Sequence, residues 1–245
     1  MLKGVEITSL ADIPSEGSGL GSSSAVTVGL LNALYGHRGI QVSAERLASE
    51  ACEIEIDVLG KPLGLQDQHI AAFGNLCFIE FGKTPGPKVE RLCLSESQKR
   101  CLLSHLLVFY TNTTRRAETI LRDQRKDIPN KSRELSSLRD LAYEGRELLL
   151  SGRFDEIGPL IHKNWLIKRS LTALTSNAEI DRMYSQALSS GASGGKIAGA
   201  GGGGFMMLYC RPERHGDVRR SLSGHPELPV SLSRDGSKII FNINR

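Results

Sequence analysis

The sequence predicts an α+β sandwich in two parts, and three observations carry that reading. Short apolar, strand-like segments alternate with longer amphipathic helical ones in the order strand, helices, strand, helix, strand. The pattern restarts near residues 95–100, after a Pro/Gly turn at 83–88. Two glycine-rich loops lead directly into regular elements, one in each part. With 245 residues, 40% of them hydrophobic, the chain is long enough to fill two cores.

In chain order, residues 5–11 read as a strand and 19–24 as a Gly/Ser loop that opens a helix at about 23–34. A helix over 44–59 breaks at Gly60 and Pro62. A tight turn follows, then a short helix near 68–73 with Asp67 at its start, and a strand at 76–81. The second part begins with an apolar strand at 102–110. Helices are expected at 117–122, 132–151, 154–170 and 177–190, then a glycine loop, a strand at 205–210, a helix near 213–222 and a strand at 238–242. Trp165 lies on an apolar face with Leu160, Ile161 and Ile167, which reads as core packing, with sugar stacking as the alternative.

The run Gly19-Leu20-Gly21-Ser22-Ser23-Ser24, preceded by Ile13-Pro14, is built to hold an anion. Backbone N–H groups of such a loop converge at a helix N-terminus, which carries partial positive charge. Glycine permits close approach of a phosphate, and the hydroxyls can cap the helix, donate to phosphate oxygens or reach a cation. A plain Gly/Ser turn with a capping serine is the competing reading. The second loop, Lys196-Ile197-Ala198-Gly199-Ala200-Gly201-Gly202-Gly203-Gly204, has five glycines in its last six positions and helical and strand-like flanks. A flexible linker does not fit those flanks; a close backbone approach to a loop or ligand does. Between the loops lie Glu55 and Asp67. Taken separately they read as a surface acid and a charge favoured by a helix N-terminus. Taken with the two loops they read as a base and a metal ligand.

At this point the chain resembles the GHMP kinases, whose members include galactokinase, homoserine kinase, mevalonate kinase and phosphomevalonate kinase. Ile13-Pro14 with Gly19 to Ser24 looks like their phosphate-binding motif, and Lys196 to Gly204 like their C-terminal glycine motif. Gly64-Leu65-Gln66-Asp67-Gln68 is similar to the galactokinase segment that carries the catalytic aspartate. Within the family the bacterial kinases of D-glycero-D-manno-heptose 7-phosphate are the nearest resemblance. It is carried by 53–74, Phe109-Tyr110-Thr111 with Arg115 and Ala117, Asn164-Trp165 with Lys168-Arg169-Ser170, and 236–242.

The resemblance implies an N-terminal ATP-binding domain over 1–98, of ribosomal-S5-domain-2-like fold and lacking its first strands, and a C-terminal ferredoxin-like α/β sandwich over 99–245. It assigns phosphate binding to Gly19, Leu20, Gly21, Ser22, Ser23, Ser24, Gly199, Ala200, Gly201 and Gly202. It places Mg²⁺ on Ser23 and Glu55, makes Asp67 the catalytic residue, and names ATP and a sugar phosphate as the small-molecule substrates. Two departures stand out. Four residues, Ser15-Glu16-Gly17-Ser18, separate Pro14 from Gly19, one more than usual, and Met1 falls only one short strand before the loop.

Arg115 follows an expected strand end, where a guanidinium can grip a sugar phosphate bidentately; Lys168 is a second candidate for that phosphate. The expected reaction is ATP-dependent phosphorylation of a heptose 7-phosphate at its anomeric hydroxyl. Other acceptors of the family, such as galactose, fucose or mevalonate, and a non-catalytic nucleotide- or sugar-phosphate-binding remnant stay open as alternatives.

Other partners are not expected. The net charge of +4 is modest. The basic cluster Arg115-Arg116, Arg122, Arg125-Lys126 alternates with acids and lacks aromatic neighbours, which argues against nucleic acid. No apolar run reaches the ~18 residues of a membrane span and no signal-peptide pattern opens the chain. The five cysteines contain no C-x-x-C pair and the six histidines no H-x-x-x-H pair, so zinc is not expected and a reduced, cytoplasmic monomer or homodimer is.

Overall fold

The computed structural model describes residues 4–11, 18–82, 86–114 and 117–241. Helix α1 spans Ser22–His37 and α2 Ala44–Cys52, the latter opened by Ser43, whose side chain accepts from the Arg46 amide. Helix α2 does not stop at Cys52. It runs on into a six-residue π-helical segment, Glu53–Val58. Helix α3 is Gln66–Phe73. These three helices bury Val28, Leu47, Ala48, Ala51, Ala72 and Phe73 in one apolar cluster.

A two-stranded ribbon follows, in which β1 (Cys77–Glu80) pairs antiparallel with β2 (Lys88–Arg91). Helix α4 (Glu96–Ser104) starts with a reciprocal capping box between Ser95 and Gln98. Strand β3 is Leu106–Tyr110, and helices α5 (Ala117–Lys126), α6 (Ser132–Leu150), α7 (Ile157–Leu171) and α8 (Ala178–Ser189) come next. Strands β4 (Ala192–Ile197) and β5 (Phe205–Cys210) and helix α9 (His215–Ser221) complete the described elements.

The second sheet has the order β3-β5-β4, antiparallel throughout. Helix α7 lies so close on it that a Cβ at Gly194 would sit 1.9 Å from the Gly158 carbonyl oxygen. Two facing glycines therefore set the depth of α7, and with it the position of every side chain on that helix. The sheet's apolar side packs with Trp165, Ile180 and Met183; Trp165 is fully buried, so it is a core residue rather than a sugar platform.

Three strand expectations are corrected. Residues 5–11 form no strand, and Val5, Ile7 and Leu10 are exposed; no neighbour among the described residues offers them the hydrogen bonds a strand requires. The same holds for 238–241, where Ile240 and Phe241 are exposed; Asn242, the last residue of that expectation, lies outside the described residues. The expected strand at 102–110 is two elements, because the capping box at Ser95 draws 96–104 into a helix that buries Leu102. Strands β2 and β4 were not expected. Strand β2 is a short polar edge, and the glycines of β4 are poor strand formers that the close packing of α7 selects.

Candidate active site

Helix α1 begins on Gly21, in the left-handed conformation at φ 72°, and no side chain caps it. The first-turn amides are thus left to an anion. A capping serine was one reading of this loop; instead the hydroxyls of Ser23 and Ser24 turn away from the helix end and donate to Glu55 Oε1 and Oε2, each at 2.7 Å. Ser18 Oγ lies 3.1 Å from Ser22 Oγ and accepts from the Leu20 amide at 3.3 Å, tightening the loop from its other side.

The glycine motif meets this loop backbone to backbone. A Cβ on Gly19 would lie 2.8 Å from the Ala198 carbonyl oxygen, and one on Gly199 2.8 Å from the Gly19 oxygen. Both have positive φ, 72° and 63°, so neither position suits a side chain. The run is anchored elsewhere by the Gly202 amide on Thr175 O and the Gly204 amide on Thr113 O, both at 2.7 Å. Its glycines serve as joints between loops.

Glu55 is fully buried on the π-helical segment, where the extra residue per turn re-aims a side chain; such bulges recur at functional sites. Besides the two serines it accepts from Gln68 Nε2 at 2.8 Å, and Lys61 Nζ lies 3.3 Å away. Burial pushes its carboxyl pKa up, but the bonds from Ser23, Ser24, Gln68 and Lys61 outweigh that and hold it below the ordinary value. Asp67, in the first turn of α3, goes the other way: burial, and then the negative charge of Glu55, raise it. A Cβ on Gly21 would touch Asp67 Cγ at 3.3 Å, which puts this carboxylate against the phosphate loop. Two neighbouring acids thus have opposite assignments, one kept ionised and one made more basic.

One cavity of about 460 Å³ lies between the phosphate loop, the glycine motif and α7, with Asp67 on its wall and Glu55 behind Ser23. Gly19, Ser23, Asp67, Lys168, Gly199 and Gly201 are all on its wall. Lys168 is half-buried and bonds the Gly199 carbonyl; burial, and then the charge of Lys196, bring its pKa down to about 7. Arg115, the other candidate for a substrate phosphate, lies outside the described residues, as do Ile13-Pro14 and Glu16.

Several wall residues were not singled out from sequence. Lys196 heads the glycine motif and faces the same cavity, its pKa also lowered by burial. Gln124 on α5 and Asn164 on α7 line it too, and each keeps one buried amide atom, Nε2 and Oδ1, without a partner among the described residues. Lys61 and Gln68, which bond Glu55 behind the wall, were not singled out either. Lys196, Lys61, Gln68 and Asn164 lie in stretches that carry the family resemblance; Gln124 is brought in by tertiary packing alone.

Two family models match this chain, GHMP kinases N terminal domain over residues 1–75 and GHMP kinases C terminal over 146–227, together more than half of it. The chain belongs to the GHMP kinase family. The D-glycero-alpha-D-manno-heptose 7-phosphate kinase of Campylobacter jejuni is 32% identical over 214 residues, covering 86% of this chain and 63% of the relative. A mevalonate kinase of Thermococcus gammatolerans is 27% identical, covering 97% of this chain and 69% of its own length. The crystal structure of a D-glycero-D-manno-heptose 1-phosphate kinase from Bacteriodes thetaiotaomicron superposes with TM-score 0.70 at 26% identity, covering 92% of this chain and 64% of that one. The chain therefore spans a little under two thirds of these heptose kinases. The matches give it the two-domain α+β architecture of GHMP kinases, and the two family models fall on either side of the ribbon and α4.

Proposed function

We propose that this GHMP kinase chain transfers a phosphoryl group from ATP to the anomeric hydroxyl of a heptose 7-phosphate or a closely related sugar phosphate. Members of the family use ATP as donor. The observation that carries the reading is the single cavity that joins an uncapped helix N-terminus, the glycine motif and a buried aspartate of raised pKa. Phosphoryl transfer asks a protein mainly for positioning and charge neutralisation, and these parts supply both.

Residues 1–98 are proposed as the ATP-binding domain and 99–245 as the domain that closes on it, although Leu94 already packs with Leu148 and Tyr209 of the second part. Amides of Gly19, Gly21 to Ser24 and Gly199 to Gly201 hold the donor phosphates, whereas those of Leu20 and Gly202, also expected there, already donate to Ser18 Oγ and Thr175 O. Asp67 accepts or orients the acceptor proton, for which its raised pKa suits it. Lys168, with Arg115, takes the acceptor's own phosphate, and the unpartnered amides of Gln124 and Asn164 face its hydroxyls.

The donor set at Ser23 and Glu55 fits Mg²⁺. It offers two hard oxygens, the few that Mg²⁺ takes from a protein when phosphates and waters fill the rest, and the Lys61 ammonium stands on both as a cation surrogate. A Mg²⁺ held by Ser23 and Glu55 would supply charge neutralisation to the donor phosphates. Five free cysteines suit a reducing, cytoplasmic compartment, and among the described residues no helix is long and apolar enough to cross a membrane.

The acceptor is tested by ADP release with heptose 7-phosphate, galactose, fucose and mevalonate in parallel. Heptose 7-phosphate is expected to give the highest kcat/KM. A preference for mevalonate or an unphosphorylated sugar refutes the acceptor but leaves the kinase assignment standing. Nucleotide binding without turnover on any acceptor refutes catalysis.

A further inference from the structure

The ammonium of Lys61 stands where a divalent cation would have to stand. Its Nζ donates to Ser23 Oγ at 2.8 Å and lies 3.3 Å from Glu55 Oε1, the two oxygens that form the metal seat. The position is built by the backbone. Gly60 reverses the chain at φ 62°, and the Lys61 amide then donates to the Glu55 carbonyl at 3.0 Å, locking residue 61 across the end of the π-helical segment. The Ser23 proton is committed to Glu55, so its oxygen lone pair is what Lys61 uses. The other carboxylate oxygen is taken by Ser24 and Gln68. An ammonium and a metal ion therefore compete for the same lone pairs on Ser23 and for the same face of Glu55. The side chain of Lys61 is 29% exposed and sits on a flexible four-carbon stem, so it has a way out.

We propose that Lys61 is a tethered counter-ion, which holds the Ser23–Glu55 seat ionised and in shape without metal and is displaced when a divalent cation arrives. A buried carboxylate stripped of its cation is costly, so such a placeholder keeps Glu55 ready for metal at the price of weaker metal binding. This inference rests on reading Ser23 and Glu55 as the metal seat, and it sets a sign opposite to that of a merely structural lysine. If Lys61 only scaffolds the seat, removing it loosens Glu55 and weakens metal binding. If it competes, removing it strengthens metal binding.

The test uses Mn²⁺ alone and counts free aquo-Mn²⁺ by its electron paramagnetic resonance signal, with wild type, Lys61→Met, Lys61→Arg and Glu55→Gln. Lys61→Met is expected to bind Mn²⁺ about ten-fold more tightly, the scale of one charge-assisted hydrogen bond. Its metal-free melting temperature should fall and Mn²⁺ should restore it. Lys61→Arg, which keeps the charge, should stay near wild type. Unchanged or weaker Mn²⁺ binding in Lys61→Met overturns the proposal, as does equal tightening in Lys61→Arg. If Lys61→Met does not fold, Lys61→Gln takes its place with the same expectation. If Glu55→Gln binds Mn²⁺ as wild type does, the metal seat itself is misassigned, a failure distinct from that of Lys61.

Discussion

At the scale of single residues, the site rests on charges held away from their ordinary equilibria. Asp67 is more basic than a free aspartate because burial, and then Glu55, disfavour its ionised form. Its neutral form is thus favoured by folding. That contribution is fully present below the ordinary 3.8 and is lost as pH rises through the raised folded-state value, leaving the ionised carboxylate a cost at neutral pH. Asp67→Asn should therefore raise the melting temperature at pH 7, with the gain vanishing below about pH 4 in a scanned series. Lys168 sets the opposite limb. With a pKa of about 7, it loses its charge as the solution turns alkaline, so the acceptor's KM should climb above pH 7. In Lys168→Arg, where the guanidinium stays protonated, that climb should disappear.

At the scale of elements, the joints matter more than the helices. Gly19 and Gly199 were legible in the sequence as glycine motifs, and a close backbone approach of the second to a loop or ligand was expected; that Gly199 meets Gly19 itself, about 180 residues away, is set by the fold. Gly199→Ala should force the loops apart against the Gly19 backbone, lowering nucleotide affinity by roughly ten-fold or more while costing only about 1–2 kcal/mol of stability. Titration calorimetry and denaturant unfolding separate the two effects. Trp165→Ala should do the reverse. Buried on α7 against Tyr184, it should cost about 3–5 kcal/mol on unfolding. The sequence marked α1, α2, α6, α7 and α8 correctly within a few residues, α1 as an apolar run behind the Gly/Ser loop and α2, α6 and α8 by their amphipathic patterns. The π-helical segment that aims Glu55 was invisible, because a single extra residue in a turn leaves no mark in the pattern.

At the scale of the whole molecule, sequence motifs named the candidate residues, and tertiary packing brought them together. Glu55, Asp67, Ser23 and Lys168 were all named from sequence, and the fold sets them round one cavity or bonds them to its wall. Gln124 was missed, and Lys61 and Asn164 were given no role of their own, because a lysine or an amide looks the same in sequence whether or not a cavity or a buried acid faces it. The strands expected at 5–11 and 238–242 had the right composition, but a strand exists only through a partner, which composition does not supply. In the proposed reaction Asp67 acts on the acceptor, in a cleft whose donor site is independent of it. The decisive measurement compares wild type with Asp67→Asn for ATP-analogue affinity and for turnover on heptose 7-phosphate. A loss of roughly 10²–10⁴-fold in kcat is expected, with donor affinity within about two-fold of wild type. Equal loss of binding and turnover, or no loss of turnover, would contradict this role of Asp67.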